Sequence, residues 1–108
     1  NVSRESMARY GYSPATRVFE AAGAGACLVT DAWVGIEQFL TPDQEVLVAR
    51  DGRDVAEHLA ALTRQRAQSI GQAARQRILA EHTYALRGAE VDSLLRAAAE
   101  SNRARSAA

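Results

Sequence analysis

The sequence predicts an α/β fold built on a parallel sheet with a helical C-terminus, and three observations carry that expectation. Two short apolar runs, at 26–30 and 45–49, lack polar alternation, as strands covered on both faces do. Helical segments flank and separate these runs, the order that winds a parallel sheet. Beyond residue 54 the apolar residues recur only at helical spacing.

Residues 3–10 read as a short helix or turn closed by Gly11. Ser13-Pro14 reads as an N-cap with proline at the first helical position, where a missing N–H costs nothing, so a helix is expected over 14–22. Gly23 and Gly25 end it. They do not form a dinucleotide fingerprint, because that motif follows a strand and opens a helix, whereas this one follows a helix and opens a strand. The first strand, 26–30, stops at Asp31. A loop with Trp33 and Gly35 follows, and its indole either stacks on a ligand or packs on the domain. Residues 36–40 suit one or two helical turns before Thr41-Pro42-Asp43 breaks them. The second strand, 45–49, is punctuated by Asp51-Gly52, with Asp51 or a neighbour able to cap the next helix. Val55, Leu59 and Leu62, then Ile70, Ala74 and Ile78, predict amphipathic helices over 54–63 and 67–81. His82-Thr83 separates these from a last helix on which Tyr84, Val91, Leu95 and Ala98 share a face, and residues 101–108 are expected to fray.

Two strands alone leave open edges and too little core. Further strands are therefore expected upstream, and the chain, which opens at Asn1 without a starting methionine, is read as a piece of a longer protein.

Composition excludes several classes. The chain has 108 residues, 47% of them hydrophobic, with 13 basic and 13 acidic side chains and zero net charge. Disordered tails are poorer in apolar residues and more highly charged, and small secreted scaffolds are rich in cysteine. All the basic residues are arginine, and they are not in surplus, which argues against a nucleic-acid partner. No signal peptide or transmembrane run is visible, so a cytoplasmic protein is expected. Cys27, within an apolar run, reads as a small buried hydrophobe with a raised pKa and not as a catalytic thiol. His58 and His82 lack the partners of a metal site and read as structural or exposed. Arg64, Arg66, Arg75 and Arg77 read as a solvated helix face.

One helix start suggests ligand chemistry. The Ser13-Pro14 start presents free N–H groups and the positive end of the helix dipole, which favour an anion. Arg17 and Glu20, three apart, lie on one face near that end, where a cation and a carboxylate could hold a pyrophosphate and ribose hydroxyls. An exposed Arg17–Glu20 salt bridge is the plain alternative. Asp31 ends the first strand, in the position of a ligand-facing residue or of a loop cap, and Thr30 beside it can donate a hydrogen bond.

The run from Arg17-Val18-Phe19-Glu20 through Gly23-Ala24-Gly25 to Asp31, then Gly35-Ile36-Glu37-Gln38-Phe39, Glu45-Val46-Leu47-Val48 and the late His82-Thr83-Tyr84-Ala85-Leu86-Arg87, resembles the C-terminal donor-binding region of GT-B glycosyltransferases. It is most similar to the group 1 branch that includes CgeB-like proteins, over roughly residues 1–95. The resemblance implies a Rossmann-like parallel sheet, with residues 1–100 as a nucleotide-sugar-binding region incomplete at its N-terminus. It implies that Glu20 accepts hydrogen bonds from the ribose, that Ser13 to Thr16 lie where the diphosphate sits, and that Arg17 and Asp31 line the donor side. Many retaining relatives carry a second glutamate eight positions before the ribose-binding one, where this chain has Tyr12. The implied partners are a nucleotide-sugar donor, an unknown acceptor and an N-terminal domain of the same protein. No metal or other cofactor is expected, since the departing diphosphate is stabilised by helix N–H groups and arginine. The fragment alone is expected to bind but not to catalyse. The rival reading is a non-catalytic α/β interaction module that uses its arginine-bearing helices.

Overall fold

The computed structural model describes residues 1–107. The chain forms α1 (Glu5–Tyr10), α2 (Thr16–Gly23), β1 (Val29–Asp31), a 3₁₀ turn (Ile36–Gln38), β2 (Leu47–Ala49), α3 (Gly52–Ala61), α4 (Arg64–Glu81) and α5 (Tyr84–Ala107). The α/β class and the helical C-terminus are therefore as expected, and β1 and β2 pair in parallel with Val29 opposite Leu47 and Asp31 opposite Ala49. Along the other edge of β1, the Asn1 nitrogen donates to the Val29 carbonyl (2.6 Å) and the Asp31 N–H donates to the Asn1 carbonyl (3.2 Å). One residue bonding two that flank its partner is the slanted pattern of a parallel ladder. Asn1 thus lies where a third parallel strand would run.

The expected start of α2 needs correction. Ser13 is not its cap, and Pro14 is not its first residue; the cap position is Ala15, and no side chain bonds the free N–H groups. Ser13 and Pro14 precede the cap, and the first turn closes on Ala15, whose carbonyl accepts from the Val18 N–H at 3.0 Å. The preceding residues are also committed elsewhere. Tyr12 takes a left-handed conformation (φ 54°), and its N–H donates to the Val34 carbonyl (2.7 Å), docking residues 11–12 on the Trp33–Gly35 loop. The helix forms only after this turn is complete.

The end of α2 follows the expected glycine signal. The Gly25 N–H donates to the Ala22 carbonyl, the Ala26 N–H reaches back to the Ala21 carbonyl, both at 3.0 Å, and Gly25 has a φ of 79°. This is a Schellman cap, and the left-handed residue it requires is glycine. Because Ala26 belongs to the cap, β1 starts later than the apolar run suggests. Strand β2 is shortened similarly, because the Glu45 N–H and the Val46 carbonyl close the 41–46 turn.

Helix α3 is capped by Asp51, whose carboxylate accepts from the Asp54 N–H, and α4 by Thr63, whose hydroxyl accepts from the Arg66 N–H. Both helices start before their expected positions of 54 and 67. Their first turns hold polar residues or glycine, so apolar periodicity has nothing there to register. The core gathers Val18 and Ala22 of α2, Trp33, Ile36, Leu40, Val46, and Ala74 and Ile78 of α4. Trp33 is thus packed in the core, 8% exposed. Helix α5 continues through Ala107, and all of its described residues except Arg87 are exposed.

Candidate functional site

Of the sequence-predicted residues, Thr16 and Glu20 line one surface depression and Asp31 another, whereas Ser13 and Arg17 line neither. The first, of about 410 Å³, lies between α2 and the junction of α4 with α5. Thr16, Phe19 and Glu20 line it from α2, Ile78 from α4, and His82, Thr83, Tyr84 and Arg87 from the junction and the first turn of α5. Thr16 opens α2 and Glu20 follows one turn later, so an uncapped helix start and a carboxylate share one cleft. The helix start expected at Ser13 lies at Thr16.

Ser13 does not line that cleft, and Arg17 is turned away from Glu20 to hold the N-terminal segment. Its Nε donates to the Asn1 side-chain carbonyl and one Nη donates to the Val2 carbonyl at 2.9 Å. The Arg17–Glu20 salt bridge is not formed. Asp31 holds the same segment. Its Oδ1 accepts from the Ser3 N–H and hydroxyl, each at 3.0 Å, and from the Thr30 hydroxyl at 3.2 Å. The side chain of Asn1 in turn donates to the Thr30 hydroxyl at 3.2 Å. Arg17 and Asp31 thus fix residues 1–3 beside β1. Asp31 also borders a second depression, of about 470 Å³, at the carboxyl ends of β1 and β2.

Sequence reasoning gave the late His-Thr-Tyr-x-x-Arg block no chemical role, yet it supplies half of the first cleft. His82 is 6% exposed at its side chain, tucked between Phe19 and Phe39 with ring centroids at 5.9 and 5.6 Å. Its Nδ1 accepts a hydrogen bond from Arg87. Burial pushes the imidazole below its ordinary pKa, the Arg87 and Arg77 guanidiniums add to that, and Glu81 opposes them. Buried Nε2 has no hydrogen-bond partner. The Thr83 hydroxyl accepts from the Leu86 N–H at 3.2 Å and so caps α5.

Arg77 corrects the reading of the arginine cluster as a solvated face. Its Nε meets Glu81 at 2.6 Å, one Nη meets Glu45 at 3.1 Å, and the other donates to the Gln38 carbonyl at 3.3 Å. Glu45 also accepts from the Thr41 N–H at 2.6 Å, so Arg77 ties α4 to the loop that leads into β2. Arg64, Arg66 and Arg75 are exposed as expected.

The third depression, of about 620 Å³, runs along α3 and includes Trp33, Arg50, Asp54 and His58. His58 Nε2 lies 2.8 Å from the Val48 carbonyl, which makes it a structural tie between α3 and β2. Cys27 is half-buried, and burial pushes its thiol up from the ordinary value, with Arg66 opposing. Among the described residues no three His, Cys, Asp or Glu side chains are grouped closely enough to hold a metal ion, and no helix is long and apolar enough to cross a membrane.

Neither the curated proteins nor the solved structures contain a match to this chain. A family model does match, and it spans residues 1–93, from the segment held by Arg17 and Asp31 through the cleft residues of the α4–α5 junction. With most of its length covered, the chain belongs to the glycosyl transferase-like family.

Proposed function

We propose that this chain is the nucleotide-sugar donor-binding part of a glycosyltransferase of the Rossmann-like GT-B kind, related to the CgeB-like branch. The observation that carries this reading is the cleft shared by Thr16 and Glu20 in a chain of the glycosyl transferase-like family. The uncapped N–H groups at the start of α2 favour a diphosphate, and the exposed Glu20 carboxylate, one turn along, accepts hydrogen bonds from ribose hydroxyls. Phe19 and Ile78 give the cleft an apolar wall, as small-molecule sites commonly have. Arg17 and Asp31 serve this site indirectly, by fixing the segment that leads into α1 and α2. Transfer to an acceptor requires a facing N-terminal domain that supplies the other side of the cleft.

Calorimetric titration with UDP and GDP tests the reading. At least one nucleotide should bind, and Glu20→Ala should weaken it by about 1 to 3 kcal/mol, the cost of losing a hydrogen bond to a charged group. If neither nucleotide binds at millimolar concentration, the chain is instead an interaction module, for which the exposed apolar residues of α5 are the available surface.

A further inference from the structure

A diphosphate in this cleft needs a cation, and Arg17, the residue expected to provide it, is committed to Asn1 and Val2. The cleft has one guanidinium among its lining residues, that of Arg87. We propose that Arg87, positioned by His82, receives the anionic phosphates of a nucleoside diphosphate whose ribose is held by Glu20; this rests on the donor-site reading above.

Three features of Arg87 favour this role. First, its guanidinium is oriented before any ligand arrives, since one Nη donates to His82 Nδ1 and the other meets Glu90 at 3.0 Å. A guanidinium carries five N–H donors in a rigid fork, so donors remain for a phosphate after these two contacts. Second, the two anchors differ in strength. His82 is buried, whereas the Arg87 and Glu90 side chains are 43% and 59% exposed, and such a surface ion pair is weak enough to be exchanged for a phosphate. Third, the charges in the cleft are separated by role. Among the described residues Glu20 is the only carboxylate lining it and Arg87 the only guanidinium, a match for a ligand with hydroxyl donors at one end and negative charge at the other. The sequence separates these two residues widely, and the fold unites them because α4 carries the chain back along α2.

Calorimetry with UDP, GDP, uridine, guanosine and pyrophosphate, on the wild-type chain and on Arg87→Gln, tests the assignment. Glutamine removes the charge but keeps an N–H donor for His82, and Arg87→Ala with circular dichroism controls for folding. Arg87→Gln should weaken the bound nucleoside diphosphate and pyrophosphate about tenfold or more, while nucleoside affinity stays at the wild-type value. Unchanged diphosphate affinity in a folded Arg87→Gln overturns the role of Arg87 and leaves the donor site standing. An equal loss for nucleoside and diphosphate also overturns it, because the effect is then on the shape of the cleft. A wild-type chain that binds neither UDP nor GDP removes the donor-site reading and this assignment together.

Discussion

His82 shows how one side chain links packing to the cleft. Its ring is buried between Phe19 and Phe39, and its Nδ1 must be unprotonated to accept from Arg87. Burial and two neighbouring guanidiniums lower the imidazole pKa in the folded state, whereas in the unfolded chain it titrates near about 6.5. Below that value the unfolded state binds the additional proton, so the contribution of His82 to stability is complete above about pH 6.5 and is lost on acidification toward the folded-state pKa. Below the folded pKa the loss levels off. Thermal melts between about pH 7.5 and 5 should therefore show a steeper fall in Tm for the wild type than for His82→Asn, whose side-chain oxygen can still accept from Arg87 but cannot titrate. Equal slopes would mean that the imidazole is not held neutral by the fold.

At the scale of elements, the contact of α4 with the end of α2 is tight because two glycines meet. A Cβ placed on Gly71 would collide with the Gly25 carbonyl, and it would lie 2.9 Å from the Gly25 carbonyl carbon. Alanine in a helix interior ordinarily gains about 0.5 to 1 kcal/mol over glycine, but forcing apart a packed backbone costs about 1 to 3 kcal/mol. Gly71→Ala should therefore lower the denaturation midpoint, whereas Gly88→Ala on α5, where the added Cβ meets nothing within 4 Å, should raise helicity by far-UV circular dichroism. A stabilised Gly71→Ala would refute the close approach. This contact also shows what the sequence made legible. The Gly25 turn and the Asp51 cap were readable because their partners lie within a few residues. The α2 start is not legible locally, because the Tyr12–Val34 hydrogen bond that fixes the turn before it spans a loop. Likewise, the Arg17–Glu20 spacing suggests two side chains on one helix face, but nothing local tells that Asn1 and Val2 claim Arg17 and turn it away, or that Arg87 lines one cleft with Glu20.

At the scale of the whole molecule, the buried core and α5 are separate matters. The radius of gyration is 17.8 Å and the longest extent 64 Å, whereas a compact chain of this length has a radius of about 13 Å. The excess arises from α5, a 24-residue helix that buries none of its residues, with Tyr84 91% and Leu94 and Leu95 each 66% exposed. Its hold on the core is Arg87, through His82, and its distal part is supported by local pairs such as Arg96 with Asp92 at 2.9 Å. The stability of the folded unit should therefore depend on the first turn of α5 and not on its length. Truncation after residue 96 should change the unfolding free energy by no more than about 0.5 kcal/mol, as for other exposed changes, and nucleotide affinity should stay at the wild-type level. Truncation after residue 83 removes Tyr84 and Arg87 from the cleft and should lower both Tm and affinity for diphosphates. Denaturant melts and calorimetry on the two shortened chains separate these cases. If the longer truncate instead loses stability, and the loss grows with protein concentration, the segment removed beyond residue 96 is held by a second chain in solution.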